Sequence, residues 1–148
     1  MTIDIVPATG SDVGPLTVVG LQAFADDPLN KALEKVSELN PTQQSEHLQW
    51  RTQYNLRRMT VPGKHWFKAV DSATGNLVGY VGMLAPKKTR AEMPSDVDES
   101  RAEVPANVDV ELLAVFERKC EEMQKRHMEG RDDYWCKTSS YAVVGSFS

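Results

Sequence analysis

Few side chains in this sequence have types and spacings that could do chemistry. Asp26 and Asp27 stand together just after Phe24 and just before Pro28, at what reads as the junction of two helices. A pair of carboxylates there could attract an amine through its field. The same pair could simply end a helix, because aspartate is a good turn former. Trp50 and Tyr54 lie four residues apart, which places both on one face of a helix. They could line a pocket for an acceptor molecule, or pack into a core as aromatics at this spacing commonly do. His47, His65 and His127 show no metal-ligand spacing among themselves or with Cys120 and Cys136, so no metal is expected. Nothing near either cysteine would lower its pKa, and Ser139 and Ser140 belong to no triad order or nucleophile elbow. No catalytic residue is assigned.

These residues need a scaffold, and the chain is long enough for one domain over residues 1–148 with a core of its own. A formal net charge of -4 offers no field for phosphates, so nucleic acid is not expected as a partner. No stretch approaches the roughly 18 apolar residues of a membrane span, and the start of the chain lacks the basic, then apolar, pattern of a signal peptide. Two cysteines make no disulfide framework, so reduced thiols and the cytoplasm are expected.

Ile3, Ile5 and Val6 form a short β-prone run closed by Pro7. Ser11 or Asp12 can cap a helix whose apolar stripe is Val13, Leu16, Val19 and Ala23. Asp27-Pro28 ends it, a second helix starts at about Asn30, and a third, capped by Thr42, runs to about Met59. The alternation from Lys64 to Asp71, the turn around Gly75 and the run from Leu77 to Leu84 predict an antiparallel hairpin. Residues 86–108 are polar and proline-rich and read as an exposed insertion. Asp109 can cap a last helix, with Leu112, Phe116, Cys120 and Met123 on its apolar side, that ends near Gly130.

The order strand, helix, interrupted helix, hairpin, insertion, helix resembles the first half of the GNAT superfamily of acetyltransferases. The residues that carry the likeness are Ile5-Val6-Pro7-Ala8 with Ser11-Asp12, Ala23-Phe24 with Asp27-Pro28, Pro62-Gly63, Lys68-Ala69-Val70-Asp71 and Thr74 to Tyr80. Together they are most similar to small members of the family found in filamentous fungi. The resemblance implies an α+β fold with an antiparallel sheet of three or more strands packed by helices, and acetyl-CoA as cofactor with an amine, small or peptidic, as acceptor. It also places Phe24, Asp26 and Asp27 at the border of the acceptor cleft, with Trp50 and Tyr54 as further candidates. In the family a bulge in the fourth strand holds the pantetheine and polarises the thioester carbonyl. A loop of the type Gln or Arg, two residues, Gly, one residue, Gly or Ala then receives the pyrophosphate at a helix start.

After Trp135 the sequence departs from that pattern, and residues 136–148 read as an atypical tail holding a single glycine, Gly145. No acetyl-CoA site is matched, so the expectation is a fold incomplete on its C-terminal side and an acetyltransferase-like protein that is truncated and weak or inactive. The alternative is a non-catalytic fragment that acts as an interaction module. One account of the break is read-through of an unspliced intron at Cys136-Lys137. Without a fourth strand, Leu77–Leu84 would be an open edge suited to self-association. Tyr141–Val144 is the segment of the chain expected to lie against that edge or to stay disordered.

Overall fold

The computed structural model describes residues 2–86, 104–131 and 133–142. Its elements are β1 (Ile3–Pro7), α1 (Val13–Ala23), α2 (Pro28–Glu34), α3 (Pro41–Met59), β2 (Lys64–Asp71), β3 (Leu77–Leu84), α4 (Val110–Met128) and β4 (Cys136–Ala142). The four strands form one antiparallel sheet in the order β1-β2-β3-β4. The fold class is therefore α+β, with three helices inserted between the first two strands.

The local chemistry explains the helix boundaries. Asp12 does not cap α1: its carboxylate turns back to the Thr9 amide at 2.8 Å and across the fold to Lys68 Nζ at 2.6 Å. Asp27 caps α2 by accepting from the Asn30 amide at 2.8 Å, so that helix starts at Pro28, two residues earlier than the apolar spacing predicts. Asn40, not Thr42, caps α3: its side chain accepts from the Gln43 amide while the Gln43 side chain accepts from the Asn40 amide, both at 3.0 Å. Lys35 adopts a left-handed backbone with φ of 45°, which stops α2 at Glu34 and turns the chain through a short 3-10 segment, Val36–Glu38. Gly75, with φ of 73°, closes the β2–β3 hairpin as glycine can.

One side of the sheet carries the core. Leu16, only 2% exposed, and Val19 from α1 pack with Trp66 from β2 and Tyr80 from β3, and the two rings stack at 5.6 Å. Ala8, Met59 and Leu77 close the cluster. Trp66 Nε1 is buried there and has no hydrogen-bond partner among the described residues. Ile5 on β1 is exposed.

Three expectations change. The Leu77–Leu84 edge is not open, because β4 pairs along it from Gly79↔Ala142 to Leu84↔Cys136. Tyr141 and Ala142 lie in that ladder, as expected of the Tyr141 segment, while Val143, Val144 and Gly145 lie outside the described residues. The apolar side of α4 is not buried: Phe116 is 42% and Met123 62% exposed, and Cys120 is an exposed free thiol. Among the described residues α4 touches α2. The insertion, finally, does not end in solvent. Residues 87–103 lie outside the described residues, but Val108 is buried and the Asp109 amide donates to the Leu33 carbonyl at 2.8 Å.

Candidate functional site

The chemically richest part of the molecule is the seam where α3 lies against α1 and α2. His47, Arg51 and Asn55 recur every four residues on α3, so they form one stripe, and that stripe faces inward. A buried polar stripe is stable only if each group finds a partner. Here each does. Glu34, at the last turn of α2 and 4% exposed, lies with Oε2 at 2.9 Å from His47 Nε2 and with Oε1 at 2.6 Å from Arg51 Nη1. Asn55 Nδ2 donates to Thr17 Oγ1 at 3.0 Å, and Thr17 Oγ1 donates in turn to the Val13 carbonyl at 2.8 Å.

Asn107 completes the network from the far end of the insertion. Its Nδ2 donates both to the Glu34 carbonyl and to His47 Nδ1, the latter at 3.1 Å. Because an amide nitrogen only donates, His47 Nδ1 must accept, and the imidazole proton sits on Nε2, facing the Glu34 carboxylate. His47 is only 1% exposed. Glu34, His47 and Asn107 resemble an acid–base relay in composition, but their burial makes them a clamp that joins α2, α3 and residue 107.

Arg51 reaches beyond this clamp. It lines a small recess between α1, α2, α3 and β3, with enclosed room for about one water molecule. Thr17, Gly20, Leu21 and Phe24 form the α1 wall, Asn30 comes from α2, Asn55 from α3 and Tyr80 from β3. The recess is apolar along Leu21 and Phe24 and polar along Asn30, Arg51 and Asn55. No cysteine or histidine lines it.

Of the residues singled out from sequence, only Phe24 lines this recess. Asp26 pairs with Lys31 Nζ at 3.0 Å in solvent, and Asp27 is spent on capping α2. Trp50 and Tyr54 stack at 5.7 Å, half-buried, with His47 5.5 Å beyond Trp50. Arg51 and Arg58 lie 5.7 and 5.4 Å from the Tyr54 centroid, so the aromatic pair belongs to a cation–aromatic ladder along α3. Sequence reading missed Glu34, Arg51, Asn55 and Asn107. The four-residue recurrence of His47, Arg51 and Asn55 was the available signal, a polar stripe that needed a partner. His65 is exposed and meets Trp135 edge-on at 5.5 Å. Among the described residues no group of three or more His, Cys, Asp or Glu could hold a metal ion.

The fourth strand has its own irregularity. Gly82 pairs with Ser139 but Met83 pairs with Lys137, so Thr138 is an extra residue in β4. Such a bulge leaves its extra residue outside the ladder and bends the strand.

No protein-family model matches the sequence, and no curated protein matches it. Among solved structures, the chain is similar to one described as histone acetyltransferase HPA2 and related acetyltransferase from Corynebacterium glutamicum ATCC 13032, at 18% identity and a TM-score of 0.49. The match covers 97% of this chain and 62% of that one, so this chain spans less than two thirds of its length.

Proposed function

We propose that this chain is an acetyltransferase-type domain, built to bring the thioester of acetyl-CoA up to an amine acceptor. The observation that carries the reading is the bulge at Thr138 in the fourth strand of an antiparallel sheet, the strand in which GNAT proteins, resembled here up to Trp135, carry one. A bulge offers backbone donors and acceptors that no neighbouring strand uses. Those groups fit the amide-rich pantetheine arm and the thioester carbonyl. The fit does not extend to the diphosphate, since the sequence has no glycine-rich loop of the family type and Gly79 and Gly82 lie inside β3. Acetyl-CoA, when bound, supplies an acyl group activated for attack by an amine.

The rest of the reading concerns what the chain's own residues do. β3 connects the two halves of the site: Gly82 and Met83 face the bulge, and Tyr80, two residues along the same strand and so about 7 Å away, lines the recess. The recess walled by Phe24, Arg51 and Tyr80 thus lies beside the strand that faces the bulge. Among the described residues no helix is long and apolar enough to cross a membrane. An exposed free thiol at Cys120 favours the reducing cytoplasm as the compartment for this activity.

Thermal denaturation with and without acetyl-CoA tests the proposal. A ligand that binds only the folded chain, present at 100 times its Kd, adds about 2.7 kcal/mol, which for a domain of this size raises Tm by roughly 5–10 °C. A Tm unchanged by millimolar acetyl-CoA would remove the enzymatic reading for this chain.

A further inference from the structure

β1 is an outer strand of the sheet, and all of its residues are exposed. The Ala8 amide donates to the Trp66 carbonyl at 2.8 Å and the Ser72 amide donates to the Thr2 carbonyl at 2.9 Å, which fixes the phase of the ladder between β1 and β2. In an antiparallel pair only every second residue bonds to a given neighbour. Thr2, Asp4, Val6 and Ala8 therefore turn their backbone groups towards β2, with Asp4 opposite Val70 and Val6 opposite Lys68. Ile3, Ile5 and Pro7 turn theirs outward. Pro7 suits that phase, because proline is tolerated on an edge where the missing N–H would have faced away from the sheet. It blunts only the far end of the edge and leaves the groups of Ile3 and Ile5 open. These outward residues also share one face of the sheet, on which Ile5 is 63% and Ile3 38% exposed.

We propose that this edge receives a second copy of the chain, β1 lying antiparallel to β1 about a two-fold axis at Ile5. Outward groups can meet only outward groups, and that leaves few registers. Centred on Ile5, the facing Ile5 residues exchange both N–H···O bonds, and each Ile3 amide donates to the Pro7 carbonyl of the other copy. The missing proline N–H then costs only the Ile3 carbonyl its partner, and that oxygen stays in water. Centred on Asp4, the two Asp4 carboxylates would stand directly opposite, and like charges so placed destabilise a ladder. Centred on Val6, each Ile5 carbonyl would face a proline and lose its donor. The Ile5 register instead sets Asp4 opposite Val6, and it covers Ile5, the most exposed apolar side chain of the strand. An edge that meets itself closes at two copies, whereas β1 against β4, the other outer strand, would continue from copy to copy. The proposal does not depend on the acetyl-transfer reading.

The test is sedimentation equilibrium of the intact chain from micromolar to millimolar concentration, with amide hydrogen exchange measured at both ends of that range. A monomer–dimer equilibrium is expected. The Ile3 and Ile5 amides should exchange more slowly in the dimer, while those of Asp4 and Val6, already bonded to β2, stay slow throughout. Ile5→Pro removes the central outward N–H and leaves the β1–β2 ladder intact, and it is expected to weaken association at least about tenfold. The exchange data on the unaltered chain stand even if that variant does not fold. The proposal is overturned by a chain that stays monomeric at millimolar concentration, by a dimer whose Ile3 and Ile5 amides exchange as in the monomer, by species that grow beyond two copies, or by a folded Ile5→Pro that associates equally well.

Discussion

Arg51 Nη1 lies 2.6 Å from Glu34 Oε1, so α3 and α2 are joined by an ion pair whose acidic partner is almost wholly enclosed. Breaking such a pair from one side costs more than the pair contributes, because a charge is left in a dry environment. Arg51→Met is therefore expected to lower unfolding free energy by about 3 kcal/mol. The double variant Arg51→Met, Glu34→Gln is expected to lose clearly less than the single one. Urea denaturation of the three proteins checks both values. Equal losses in the single and double variants would show that the carboxylate is not stranded.

The ion pair of Asp12 with Lys68 ties the start of α1 to the middle of β2. The hydrogen bond from Lys68 Nζ, followed by that from the Thr9 amide, holds the Asp12 carboxyl below its ordinary value of 3.8. The unfolded chain then binds this proton more readily than the folded one, so the contribution is complete above that value and is lost as pH falls through the lower folded value. Asp12→Asn is expected to cost about 1 kcal/mol near neutral pH, a size suited to a pair that is partly in solvent. Denaturation curves of both proteins from pH 7 to pH 2 should show the gap steady above about pH 5 and closing below about pH 3. A gap that widens in acid would contradict the assignment.

Lys35 has a backbone conformation that costs a residue with a side chain about 1 kcal/mol or more. Its contact with Asp109 is long, 3.9 Å, and both side chains are open to solvent, so little is lost by removing it. Lys35→Gly is expected to stabilise the fold by about 0.5–1 kcal/mol, read as a rise in Tm. A fall in Tm would mean that the side chain contributes something the geometry does not show.

For α4 the expectation is insensitivity. Phe116→Ser would cost about 3 kcal/mol or more in a packed core, yet on this exposed side it is expected to change stability by less than about 0.5 kcal/mol. Equilibrium unfolding of this one variant decides between a packed and an uncovered helix.

Most of the scaffold is legible in the sequence, and the reasons are local. The alternation of Lys64–Asp71, the turn chemistry at Gly75 and the apolar stripe Val13, Leu16, Val19 are signals that each element carries in itself. Helix starts were legible only to within a residue or two, because Asp27 and Asn40 are neighbours of the residues that spacing favoured, and only geometry shows which oxygen reaches an amide. The fourth strand was half legible: Tyr141 offered a β-prone anchor, but Lys137, Thr138 and Ser139 give no apolar alternation, and their pairing follows from the edge that β3 presents.

The site was the least legible part. Glu34, His47, Asn55 and Asn107 come from three stretches of sequence, and what unites them is a requirement that burial creates, namely that every polar group inside finds a partner. Asp26 and Asp27 stand out in the sequence as adjacent acids that could attract an amine or end a helix. In the fold one pairs with Lys31 and the other caps a helix, and the charged group on the recess wall is an arginine.

The central claim is that the bulge in β4 receives the acyl end of acetyl-CoA. It is tested most directly at the backbone amide of Thr138, followed by NMR as acetyl-CoA, and separately S-acetyl-pantetheine, is added to the intact chain. Saturable shifts of Thr138 and its neighbours Lys137 and Ser139 with both compounds are the expected result. Shifts absent from these three amides at saturation, or confined to other parts of the chain, would contradict the account.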